Sequence, residues 1–245
     1  MIFWGLVMAL FGSFRKKEKE VLSHADYNII FDNKVVEDSK IELVNIGLLN
    51  VPTGQIVVCD PLVNPGAAPL TRKIPTGKYP VKIYVAKTEK YGDRYAIAKL
   101  EIKADKADKW VMALREGEKI SELKEQGDYF GFPVDAGLGG FFDLRSGVEY
   151  NKFLDEFIKN NPGKNFYEDF FEAEFKKNSN KPNDFSDPDD IGDWVNYQFP
   201  GTDLNITIFH SGFGDGYYPA YWGIKNDGTV VSLVIDFHVL LVPEE

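Results

Sequence analysis

The chain holds one cysteine, Cys59, and three histidines in 245 residues. A single thiol rules out an intrachain disulfide and a cysteine-rich structural zinc site, and it fits a reducing cytoplasm. Basic residues are scarce too: 28 Lys and Arg stand against 38 Asp and Glu, a formal charge of −10. A field of that sign repels phosphate backbones and anionic membranes, which excludes general nucleic-acid binding while leaving room for a basic protein partner or a bound cation. No internal repeat and no complete catalytic motif is visible. The apolar opening Met1 to Phe14 gives way to Arg15-Lys16-Lys17-Glu18-Lys19-Glu20 and is too short to span a bilayer. It also lacks a preceding basic region and an Ala-x-Ala cleavage site, which argues against a cleaved secretory signal. Three readings of residues 1–20 stay open: a true start at Met8, a weak membrane-surface anchor, or a lead-in that packs on the domain.

What is present is core material, 44% hydrophobic with 14% aromatic residues, enough for one α+β domain over residues 21–245. Ile41 to Leu49 and Gln55 to Cys59 are β-rich and flank Pro52-Thr53-Gly54, so a strand–turn–strand hairpin is expected there. Gly77-Lys78-Tyr79-Pro80 opens a second hairpin with arms Val81 to Lys87 and Arg94 to Lys103, whose alternation predicts one solvated face. Lys106 to Leu114 adds a further strand. Trp194 to Phe199, Leu204 to His210, Tyr217 to Ile224 and Val230 to Leu241 complete a mainly antiparallel sheet. Asp227-Gly228 joins the last two as a hairpin turn, with Ile224 expected opposite Val231 and Pro219 opposite Asp236.

Between these strands the period changes. Tyr150, Phe153, Leu154, Phe157 and Ile158 recur at helical spacing and stop at Asn161-Pro162-Gly163. Asn165 can cap a second helix striped by Tyr167, Phe170, Phe171 and Phe175, so a helical-hairpin insertion is expected over about 144–178. An acidic loop follows at 179–193. Read from Asp187 it fails as a calcium loop, because Ile191 and Gln198 stand at ligand positions five and twelve.

The most distinctive stretch is His210-Ser-Gly-Phe-Gly-Asp-Gly-Tyr-Tyr-Pro219, where Gly212, Gly214 and Gly216 allow backbone angles closed to other residues and enclose Asp215. It precedes a tyrosine-rich strand rather than a helix N-terminus, so it is no dinucleotide loop. Asp60, Asp135, Asp143, Asp215 and Asp236 each lie beside an apolar run, where an unpaired charge costs several kcal/mol. Two expectations follow. A subset converges on one pocket that binds a divalent cation or supplies a general acid/base pair, or each aspartate caps its own turn. His238 and His210 are the candidate proton carriers beside Asp215 and Asp236. Cys59 reads as a small buried hydrophobe in an interior strand rather than a nucleophile.

Val58-Cys59-Asp60-Pro61, Pro133-Val134-Asp135-Ala136-Gly137, Ser211 to Gly216 with Tyr218-Pro219, and Asp236-Phe237 together resemble domain of unknown function 4241. The resemblance runs from about Ile46 to Val239, implies a bacterial-type protein, and carries no reaction with it. Two functions are therefore expected as alternatives. One is a cytoplasmic binding protein, immunity- or antitoxin-like, whose acidic surface meets a basic protein. The other is a metal-assisted hydrolase with Asp215 and Asp236 as ligands.

Overall fold

The computed structural model describes residues 20–125, 127–177 and 194–242. The expected lead-in up to residue 19 and the acidic loop 179–193 lie outside the described residues. A short helix α1 (Asn28–Asp32) precedes strands β1 (Val35–Val36), β2 (Ser39–Val51), β3 (Ile56–Cys59), β4 (Gly77–Thr88), β5 (Gly92–Glu101) and β6 (Lys109–Met112). Then come β7 (Gly131–Val134), β8 (Leu138–Asp143) and helix α2 (Leu144–Asn160). A π-helical turn Tyr167–Phe171 runs into α3 (Glu172–Lys176), and β9 (Trp194–Gln198), β10 (Asn205–His210), β11 (Gly216–Ile224) and β12 (Val230–Asp236) follow.

All strand pairs are antiparallel, and they form two sheets rather than one. The larger runs β1-β2-β4-β5-β12-β11-β6, with β7 also on β11, and the smaller runs β3-β8-β10-β9. This mainly antiparallel α+β architecture is the one the sequence leads one to expect. The hairpin expected between Ile41 and Cys59 is not formed. Instead β2 pairs with β4 in the large sheet and β3 with β8 in the small one. The turn residues carry the chain from sheet to sheet, so both strands cover one core from opposite sides.

Period-two alternation sorts each strand between two cores. Ile56, Val58, Phe141 and Phe209 of the small sheet meet Leu49, Ile83, Leu100, Trp222, Leu233 and Phe237 of the large sheet in the central layer. Their neighbours Val57, Cys59, Phe142, Ile206 and Ile208 face Tyr150, Phe166, Phe171 and Phe175 of the helical insertion. The expected helical hairpin therefore lies on the small sheet. Asp143 caps its first helix by accepting from Arg145 N, and Asn165 Oδ1 accepts from Tyr167 N and Glu168 N at the second. Cys59 is buried because its strand has a packed layer on each side.

The outer face of the large sheet is not solvated in its middle, contrary to the expectation from β4 and β5. An N-terminal strap, residues 20–33, lies over it. Tyr27 and Ile30 pack there on Tyr84, Ala96, Ile97, Trp110 and Tyr221. The strap is held at the sheet edge by Ser23 N to Trp110 O and Met112 N to Val21 O, both 2.9 Å. The final hairpin keeps the expected register from Gly223 opposite Ser232 to Ala220 opposite Ile235, then slips so that Ile224 meets Val230. A four-residue turn closed by Gly228 N to Lys225 O causes the slip, with Gly228 at φ 88°. That is a turn followed by a left-handed glycine, which adds a bulge, rather than a two-residue loop with positive φ at both positions.

Candidate functional site

Three chain crossings between the sheets meet at one end of the sandwich. They are the exit from β3 at Asp60, the β7–β8 turn at Asp135–Gly137, and the glycine loop between β10 and β11. Ser211 N donates to Gly137 O at 2.9 Å, and Gly137 N donates to Asp215 Oδ1 at 3.2 Å. Asp60 Oδ2 accepts from Ala136 N at 2.8 Å and Asp135 N at 3.2 Å, while Oδ1 accepts from Leu62 N at 3.0 Å. Burial raises the Asp60 carboxyl above the ordinary carboxylate range even though these amides pull it down. The sequence motifs around residues 60, 135 and 215 thus form one hydrogen-bonded corner.

The loop itself is tightly tied. Gly214 N donates to Ser211 O at 2.8 Å, and Gly214 O accepts from Ser211 Oγ at 2.7 Å and from Tyr218 OH at 2.9 Å. Gly214 has φ 97°, a region that favours glycine, and a Cβ on Gly212 would lie 2.9 Å from both Phe237 Cβ and Phe237 O. Pro219 pairs with Gly131 of β7, and a Cβ on Gly216 would lie 3.1 Å from the Tyr218 ring. Close packing thus accounts for the glycines at 212 and 216, and the positive φ for the one at 214. Phe213 is the one large residue between them, and the loop turns it outward: it is 52% exposed, with its ring 5.3 Å from that of Tyr91, itself 47% exposed. Arg94 lies over the Phe213 ring at 5.7 Å and Lys90 over the Tyr91 ring at 4.8 Å. Asp135 and Asp215 are exposed beside the loop.

The other aspartates are elsewhere. Asp143 lies at the opposite end of the β3–β8 pair, across from Ile56, fully buried, and accepts from Thr53 N at 2.9 Å and Thr53 Oγ1 at 2.7 Å. Asp236, 1% exposed, turns toward the strap, where Tyr27 OH donates to its Oδ2 at 2.7 Å and His238 N donates to its Oδ1 at 2.8 Å. Its neighbour Phe237 faces the central core instead. Burial raises the Asp236 carboxyl despite these donors and the nearby His238. Of the five aspartates, a subset of which is expected to converge, three come together. Asp60, Asp135 and Asp215 meet at one turn, and Asp143 and Asp236 do not join them. Backbone amides and hydroxyls occupy the buried carboxylates, and strand alternation points Asp236 away from the loop. Among the described residues no group of three or more His, Cys, Asp and Glu is placed to hold a metal ion.

The two histidines separate as well. His210 ends β10 with its ring 5.6 Å from Phe175 of α3, on the helical side. His238 sits at φ 53° with its ring between Tyr129, at 5.3 Å, and Tyr218, at 5.9 Å. Its buried Nε2 has no hydrogen-bond partner among the described residues, and desolvation lowers its pKa. Burial likewise pushes the Cys59 thiol far up, which suits a packing residue.

Sequence reading missed Tyr27, Tyr91 and Arg115. Arg115 bridges the layers through Nη2 to Val58 O at 2.7 Å and Nη1 to Gly131 O at 2.8 Å. None of the three carries a local motif, and only their distant partners show their use. Among the described residues no helix is long and apolar enough to cross a membrane.

No curated protein and no solved structure matches the chain. A family model described as "Protein of unknown function (DUF4241)" matches residues 49–235, from the end of β2 to β12. That span takes in the small sheet, the large sheet from β4 onward, the helical insertion and the braced glycine loop. By this match the chain belongs to the DUF4241 family.

Proposed function

We propose that this is a binding protein that docks a basic protein partner at the glycine-loop corner, in the manner of a bacterial, cytoplasmic immunity or antitoxin-like protein. The carrying observation is the exposed Phe213–Tyr91 ring pair, with Phe213 on a loop tied to the β7–β8 turn. Single exposed hydrophobic residues are ordinary, and this surface has several. Two aromatic rings in edge contact, one of them on a loop with little freedom to turn inward, are different. They offer a partner a preformed anchor, and rigid aromatic anchors are the residues that dominate binding energy. Exposed Asp135 and Asp215 at the loop corner, together with the charge of −10, favour a basic surface opposite, while Arg94 and Lys90 over the two rings set two positive charges at the anchor itself.

Affinity capture from the native host with wild-type chain, Phe213→Ala and a control Leu48→Ala tests this. A basic protein should be recovered by the wild type and by Leu48→Ala, and be lost with Phe213→Ala and at high salt. Recovery that is indifferent to Phe213, or of no basic partner, overturns the reading.

A further inference from the structure

β12 ends at Asp236, and the chain leaves it through a strained residue. Phe237 N donates to Ala96 O at 3.1 Å and the Phe237 side chain stays in the central core, after which His238 turns at φ 53°. A non-glycine residue in the left-handed region persists only where its surroundings hold it there. Two sets of contacts hold this one. His238 N donates to Asp236 Oδ1 at 2.8 Å, and the imidazole lies between the rings of Tyr129 and Tyr218. Both tyrosines are tied in turn. Tyr129 stacks on Tyr217 and donates its hydroxyl to Tyr217 O at 3.1 Å, while Tyr217 OH accepts from Gly131 N at 3.0 Å. Phe130 N donates to Met112 Sδ at 3.3 Å, and Tyr218 OH donates to Gly214 O at 2.9 Å. The His238 ring therefore joins the segment ahead of β7 to the start of β11.

The same ring is badly placed to carry a charge. Its Nε2 is buried without a partner among the described residues. A neutral imidazole can leave that nitrogen as a bare acceptor, whereas protonation puts a charged N–H there with nothing to receive it. Asp236 and the two tyrosine faces attract an imidazolium. The Asp236 oxygens, however, already accept from Tyr27 OH and His238 N, and burial favours the uncharged carboxyl. His24 of the strap, whose Nε2 donates to Leu241 O at 2.8 Å, repels a second positive charge. Arg94 of β5 turns to Phe213, and Glu37 of the β1–β2 turn accepts from Leu241 N at 3.1 Å. Desolvation outweighs the attraction while the ring stays in place.

We propose that His238 is a pH-operated latch: neutral, it holds residues 127–130 and the turn after β12 closed, and once protonated it swings into water and frees both. Leaving the pocket hydrates the new N–H and also lets position 238 abandon its strained backbone. The latch adjoins the glycine-loop corner through Tyr218, but it does not rest on the partner proposed there and is tested without one.

NMR of the full chain between about pH 7.5 and 5 tests it, following the His238 ring together with exchange of the Phe130, Gly131 and His238 amides corrected for the intrinsic effect of pH. The ring should titrate below the ordinary histidine value of about 6.5. Protection of the three amides should fall tenfold or more with the same midpoint, while amides of the β4–β5 pair keep theirs. His238→Asn, which accepts the positive φ and takes no proton, should give exchange that does not vary with pH, and His24→Gln should leave the wild-type fall in place. A ring that titrates at or above about 6.5, protection that holds to about pH 5, or unequal midpoints in the wild type overturns the proposal without recourse to any variant. So does a fall that survives His238→Asn, vanishes in His24→Gln, or extends to the β4–β5 amides.

Discussion

Replacing Tyr27 by Phe removes one oxygen and, by the geometry, loosens the N-terminal strap. The Tyr27 hydroxyl donates at 2.7 Å to the fully desolvated Asp236 carboxylate and accepts from Ser23 Oγ at 3.0 Å. Asp236 has no Lys or Arg ion pair among the described residues, so after the change Oδ2 has no remaining donor and only His238 N still serves the group. A hydrogen bond to a charged group is worth roughly 1.5–3 kcal/mol, and the Ser23 bond adds about 0.5–1 kcal/mol. Burial already raises Asp236 toward its protonated form, and taking up a proton limits the loss. The expected destabilisation is therefore about 2–3 kcal/mol. For a chain of this length that is a Tm drop of roughly 4–12 °C. Urea unfolding should show a lower midpoint at unchanged slope, and hydrogen exchange should quicken over residues 20–33 before the β5–β12 pair. A cycle with Asp236→Asn should return a coupling energy above about 1 kcal/mol. A loss under about 0.5 kcal/mol, or exchange that rises uniformly, would refute the idea that this bond pins the strap.

Two further outcomes follow from the same corner of the molecule. Desolvation depresses the His238 pKa, so its contribution to stability is present above the ordinary histidine value near 6.5 and is lost as pH falls through the depressed one. Asp236, raised, acts with the opposite sign: its contribution is full below about 3.9 and is lost as pH rises through the raised value. Asn accepts the positive φ at position 238, so His238→Asn should flatten the decline of the urea midpoint below about pH 6.5, and an unchanged slope would remove His238 from the account. In the loop, Gly212→Ala forces a Cβ to 2.9 Å from Phe237 and should cost about 1–3 kcal/mol in denaturant titrations. A cost near zero would mean that the glycine loop is not tied to β12.

Much of the fold is legible in the chain because its signals are local. The stripe Tyr150, Phe153, Leu154, Phe157 marks α2, and the turn residues after Ile224 mark the last hairpin. The unbroken apolar run Val57-Val58-Cys59 marks an interior strand. The Ile41–Cys59 segment shows where locality stops. A turn signal says that the chain changes direction, and it does not say whether the next strand returns to the same sheet. Central-core packing sent β3 to the other sheet.

The candidate site divides in the same way. The glycine spacing around Phe213 and Asp215 and the aspartates at 60 and 135 stand out in the sequence, because each needs a special backbone or a partner for a buried charge. Their meeting at one corner, the exclusion of Asp143 and Asp236 from it, the exposure of Phe213 against Tyr91, and the Tyr27–Asp236 bond were decided by tertiary structure alone. Local chemistry sets what a residue requires, whereas which partner supplies it depends on segments brought together from far along the chain, 209 residues apart for Tyr27 and Asp236.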